Sequence, residues 1–103
     1  MISNLTKPQR IQNKKLLKEF RSYYCCVQSH KCIAGGDVCF EHWKTKGARG
    51  GDTVKNGNPM CVGCHLLKAE MGVESFWEKY GDKINVNRAA QGLPPFDPEK
   101  VGE

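Results

Sequence analysis

The sequence predicts a small α+β domain stapled by a metal ion, with helices flanking a short strand pair, and three observations predict it. The chain has 103 residues, of which only 39% are hydrophobic. A chain of that size buries a modest share of its unfolded surface and needs a staple. Six cysteines can supply one, and two of them stand as Cys61-Val62-Gly63-Cys64 directly before His65, the spacing of half a tetrahedral zinc site. The apolar pattern alternates over Asp37–Trp43 and turns helical after Cys61, which reads as strand and then helix.

In chain order, Thr6 and Gln9 have capping-box spacing around Pro8, a helix start. Leu16, Leu17, Phe20 and Tyr24 then recur at helical spacing with lysines on the opposite side, so residues 1–24 read as a basic amphipathic helix packed on the domain. Residues 1–36 carry Lys7, Arg10, Lys14, Lys15, Lys18, Arg21 and Lys31 against Glu19 alone. The whole chain has a net charge of +5. Such a segment attracts nucleic acid without reading its sequence, and by itself it equally describes a solvated helix face.

Cys25-Cys26-Val27-Gln28-Ser29-His30-Lys31-Cys32 is polar and bracketed by thiols. One of Cys25 and Cys26, with Cys32, forms the first half of a zinc clamp, and Cys61 with Cys64 forms the second. Four thiolates on one ion crosslink segments distant in sequence. His30 reads as a surface histidine and Cys39 as a small buried hydrophobe. The first twenty residues hold no apolar run of signal-peptide length, and no stretch approaches the ~20 residues that span a bilayer. The expectation is a cytoplasmic protein with no membrane partner, in a reducing compartment that favours zinc over disulfides.

Ala34-Gly35-Gly36 is a turn, followed by the strand Asp37–Trp43, whose alternation sets Val38, Phe40 and His42 on one face and Cys39, Glu41 and Trp43 on the other. Glu41 and His42 can therefore reach one site only where the strand ends or bends. The loop from Lys44 to Asn58 contains Gly47, Gly50, Gly51 and Gly57 and is long for a hairpin connection. Its cations Lys44, Lys46 and Arg49, with exposed amides, suit phosphate. Asn58-Pro59-Met60 reads as an edge strand, and Val62–Met71 as a helix capped by Gly72. Ser75 starts a second short helix that buries Phe76, Trp77 and Tyr80 and ends at Gly81. Residues 82–103 form an extension with a helical turn around Asn87–Gln91, then a loosely attached extended run from Leu93 to Pro98.

A histidine beside a carboxylate can take a proton while its neighbour holds a metal ion. With the phosphate-suited loop, this combination predicts a metal-dependent nuclease. The order of motifs is Glu41-His42-Trp43-Lys44-Thr45-Lys46-Gly47-Ala48-Arg49-Gly50-Gly51-Asp52, then Asn56, then Cys61-Val62-Gly63-Cys64-His65, then Gly72 to Tyr80 with Phe76 and Lys79 between. Over residues 25–81 this order resembles the HNH endonucleases of the ββα-metal (His-Me finger) fold, most of all small phage and prophage proteins. The resemblance implies that His42 is the general base, that Asn56 holds its imidazole, and that His65 is a ligand of a single catalytic Mg²⁺ or Mn²⁺. Glu41 stands where relatives have Asp or His as the other ligand, and an oxygen donor suits a hard cation. Where many relatives carry a further histidine one helical turn on, this chain has Ala69.

It also implies DNA as substrate, with Lys44, Lys46 and Arg49 positioning its backbone, structural Zn²⁺ on the cysteines, and the cytoplasm of a bacterial host. The alternative is a non-catalytic zinc-ribbon-like module that binds nucleic acid or protein. That reading explains the cysteines and the charge, and leaves the order of His42, Asn56 and His65 as coincidence. A secreted disulfide scaffold is permitted by the cysteine count and opposed by Cys-x-x-Cys-His.

Overall fold

The structure, a computed structural model, describes residues 10–32 and 36–102. The helix start expected at Thr6–Gln9, and Ala34 and Gly35 of the expected turn, lie outside them. In chain order the elements are α1 (Lys14–Phe20), β1 (Val38–His42), β2 (Gly57–Cys61), α2 (Val62–Met71) and α3 (Val73–Ala90). Short 3₁₀ turns occupy Lys46–Ala48, Val54–Asn56 and Pro98–Lys100. This is a small α+β arrangement around a two-stranded antiparallel sheet.

The first helix is shorter than its apolar periodicity suggests. Asn13 caps it by accepting a bond from the Leu16 amide at 3.0 Å. Beyond Phe20, the amides of Arg21, Ser22 and Tyr23 each donate to the carbonyl three residues back, and this tightening ends the helix. Tyr24 therefore lies outside α1 and is exposed.

The strands pair Val38 with Cys61, Phe40 with Pro59 and His42 with Gly57. Pro59 is tolerated in mid-strand because its carbonyl faces away from β1, accepting from the Cys26 amide at 2.9 Å. In an antiparallel strand a residue's N and O share an edge, so no ladder bond is lost to the missing N–H. Gly57 has no side chain for a steric reason: a Cβ there would run into the Phe40 ring.

Two apolar clusters flank the sheet. Phe40 packs with Phe20 of α1, ring centroids 4.7 Å apart, and with Leu93. Trp43, Met60, Leu67, Phe76, Tyr80 and Ile84 form the larger cluster against α2 and α3.

The C-terminal third departs from expectation. Gly81 does not end a short helix; α3 runs through it for 18 residues and contains the turn expected at Asn87–Gln91. An isolated glycine costs a helix only about 1 kcal/mol, and the buried row Phe76, Tyr80, Ile84 and Arg88 continues past it. Nor is Leu93–Pro98 loosely attached. Phe96 is 2% exposed, lies 5.1 Å from Trp43, and exchanges two hydrogen bonds with the Asn85 side chain. Arg88, fully buried, donates to the carbonyls of Pro94, Gly57 and Val54 and to Asn58 Oδ1, which ties α3 to β2 and to the loop before it. Among the described residues no helix is long and apolar enough to cross a membrane.

Candidate functional site

Two groups of chemistry-bearing side chains converge, one at each end of the sheet. At the first, the Sγ atoms of Cys25, Cys32, Cys61 and Cys64 all lie within 4.8 Å of one another and could hold a metal ion. Cys32 Sγ is 3.5 Å from Cys61 Sγ and 3.4 Å from Cys64 Sγ. A tetrahedron with Zn–S bonds near 2.3 Å has edges of about 3.8 Å, so the donor set fits zinc in both number and spacing.

The junction of β2 and α2 presets half of this cluster. Cys61 is both the last residue of β2 and the N-cap of α2, accepting from the Cys64 amide at 3.4 Å. A hydrogen bond with Cys64 holds the Cys25 thiol down at about 4. Burial pushes Cys32 up to about 11, and the bond with Cys25 raises Cys64 as well. Four thiols so close do not all ionise unless a cation balances them, which a dication held by the cluster could do. Ser29 supports the cluster through its hydroxyl, 3.0 Å from Cys64 Sγ. Between the adjacent pair, Cys25 joins the cluster and Cys26 does not. Cys26 is buried among apolar side chains, where loss of water raises its thiol well above the usual range. Cys39, expected to be buried, is exposed.

At the other end, Glu41, His42 and His65 line one cavity of about 300 Å³, together with Thr45 and Lys46. Four successive residues of β1, Cys39 to His42, contribute to it; the Glu41 carboxylate lies beside Lys68 and His65, and the His42 imidazole beside Asp52 and Phe40. His65 sits in the first half of α2 with Nδ1 3.3 Å from Glu41 Oε2. Lys68, one turn after His65, donates to both Glu41 oxygens at 3.1 and 3.2 Å and lies 4.3 Å over the Trp43 ring. Ala69 is exposed.

His42 packs against Phe40 at 4.6 Å, and its Nε2 lies 2.7 Å from Asp52 Oδ1. Burial opposes the charge on Asp52, yet hydrogen bonds from His42, the Asn13 amide and Arg10 outweigh it and hold the carboxyl at about 2. The Asn56 side chain bonds the loop backbone rather than the imidazole. It accepts from the Lys44 amide at 2.7 Å and donates to the carbonyls of Lys44 and Gly51, both at 3.0 Å, buckling the loop that follows β1. Gly50 lies inside that buckle, where a Cβ would strike the Lys44 carbonyl. Of the three loop cations, Lys46 lines the cavity. Lys44 and Arg49 line a separate one of about 150 Å³.

The sequence reading overlooked Asp52, Arg10, Lys68 and Ser29. Asp52 closes the glycine-rich motif and Lys68 follows His65 at helical spacing, which are usable signals. Arg10 carries none, because its 42-residue reach to Asp52 depends on the tertiary fold. No family model, curated protein or solved structure matches the chain.

Proposed function

We propose that the chain is a metal-dependent DNA endonuclease of the ββα-metal kind, with a zinc-stapled scaffold and a catalytic divalent cation. The observation that carries this reading is the shared cavity of Glu41, His42 and His65, with Lys46 beside them. The succession of β1, β2 and α2 supports the fold assignment.

In this reading His42 takes a proton from the water that attacks phosphorus. Glu41 and His65 would hold Mg²⁺ or Mn²⁺, and the ion would supply charge neutralisation at the phosphate. Lys46 meets the scissile phosphate, while Lys44 and Arg49, around the neighbouring cavity, engage the backbone further along without reading bases. Asn56 keeps the loop closed so that these cations stay beside the cavity. Cys25, Cys32, Cys61 and Cys64 carry Zn²⁺ and no part of the chemistry.

A supercoiled-plasmid assay with Mg²⁺ or Mn²⁺ tests this. Wild type nicks; His42→Ala and His65→Ala fall by about 10²-fold or more. Equal cutting by all three proteins sinks the assignment. One observation favours the second reading, a non-catalytic zinc-ribbon-like module that binds nucleic acid: Lys68 already neutralises Glu41. That module binds DNA and leaves the plasmid intact with either ion.

A further inference from the structure

We infer that Asp52 is the positioning residue of His42: it accepts a hydrogen bond from Nε2–H, locks the ring in that tautomer and leaves Nδ1 as its only basic atom. The inference refines the nuclease reading at the same site and carries a test that does not depend on cleavage.

The argument starts from what surrounds the carboxylate. Asp52 is 2% exposed. Its Oδ1 accepts from the Arg10 guanidinium at 2.7 Å, and its Oδ2 accepts from the Asn13 amide at 2.9 Å. Both partners can only donate, so both oxygens are committed as acceptors. The contact of Oδ1 with His42 Nε2, also 2.7 Å, then has one polarity left, with the imidazole donating. Its bonds hold the Asp52 carboxyl at about 2, and an ionised carboxylate has no proton to offer in return.

The ring's remaining freedom is rotation about its own bonds. Phe40 limits it, lying against the imidazole at 60° between planes. An imidazole with one nitrogen bonded to a carboxylate and an edge-type contact with an aromatic ring is held in orientation from two sides, which a general base needs before substrate arrives. Asp52 is itself held by the chain before α1. Its backbone amide donates to the Ile11 carbonyl at 2.9 Å, and Arg10 also donates to the Gly50 carbonyl at 3.1 Å. The segment Arg10–Asn13 is thus a strut of the site, although it lies outside the span that resembles a nuclease.

The test uses the full zinc-loaded chain labelled with ¹⁵N. The protein has three histidines, so long-range ¹H–¹⁵N spectra, with His42→Gln for assignment, read the tautomer of His42 at a pH where its ring is neutral. Wild type shows the Nε2–H form alone. Asp52→Asn and Asp52→Ala show mixed tautomers, with zinc content and helical circular dichroism unchanged and plasmid nicking lowered by about 10²-fold. A wild-type His42 carrying its proton on Nδ1 overturns the inference without recourse to any variant. So does an Nε2–H tautomer that persists in both variants. If wild type shows the expected tautomer but nicks no plasmid, the positioning role stands and the nuclease reading falls.

Discussion

Glu41 decides how the cavity behaves, because the proposed metal ion would compete with Lys68 for its carboxylate. Lys68 spans both its oxygens, and the two side chains are only 8% and 7% exposed. Removing one partner of so buried a pair costs up to about 3–5 kcal/mol when the remaining charge is stranded, and Lys68→Met leaves Glu41 with only the more exposed His65 beside it. Lys68→Met should therefore melt well below wild type in the absence of divalent ions. If Glu41 is a metal ligand, Mn²⁺ then relieves the stranded charge, and linkage requires a larger rise in Tm for the variant than for wild type. Equal rises, followed by calorimetry, would mean that Glu41 does not touch the ion. Asp52 makes a second residue-level prediction through pH. Its folded carboxyl sits at about 2 against an ordinary 3.8, so below 3.8 the unfolded chain binds more protons. The contribution, roughly 2 kcal/mol by that shift, is complete above pH about 4 and disappears as pH falls to about 2. The Tm gap between wild type and Asp52→Asn should be constant at neutral pH and close across that window. A gap that stays open at pH 2 would contradict the assignment.

At the level of elements, Asn56 ties together the two ends of the turn that follows β1. Asn56 is fully buried and makes three bonds to the backbone of Lys44 and Gly51. Asn56→Ala leaves those groups unsatisfied at about 1–3 kcal/mol each before relaxation. Its denaturation midpoint should drop, and hydrogen exchange should quicken at the Lys44 amide while α3 stays protected. Uniform loss of protection would refute a local role. The sequence conveyed the strand pair, the loop and α2 because their signals are local: alternation in β1, a cysteine pair at a helix start, Gly72 at its end. Tertiary partners determined what it did not convey. Gly81 reads as a stop until the row Phe76, Tyr80, Ile84 and Arg88 is seen to need a continuous helix. The prolines around Phe96 read as a loose tail, although that ring packs against both Trp43 and Trp77. The chain position of Asn56 was legible; its bonding to the loop backbone rather than to His42 was not, because only the folded loop brings Lys44 and Gly51 to it.

For the molecule as a whole, the thiol cluster couples scaffold to site. Cys25 and Cys32 precede the sheet, whereas Cys61 and Cys64 form the corner where β2 becomes α2. One turn of that helix carries both Cys64 and His65, so an ion on the four thiols sets the position of His65 against Glu41. If each site takes the ion proposed for it, the two metals should be removable in one order only. A mild chelator that strips the cavity ion leaves the fold intact, because Glu41 remains paired with Lys68 and His42 with Asp52. A chelator strong enough to take zinc unlinks the corner and should unfold the domain, since metal binding free energy is folding free energy in so small a core. The chain's two tryptophans report this directly. Trp43 and Trp77 meet edge to face at 5.8 Å inside the main apolar cluster, and their emission should shift to the red as zinc leaves, with Mn²⁺ affinity lost in the same step. Zinc at one equivalent should restore both signals. Emission that stays blue after complete zinc removal would show that the apolar core alone carries the fold, and the thiols would then need another explanation.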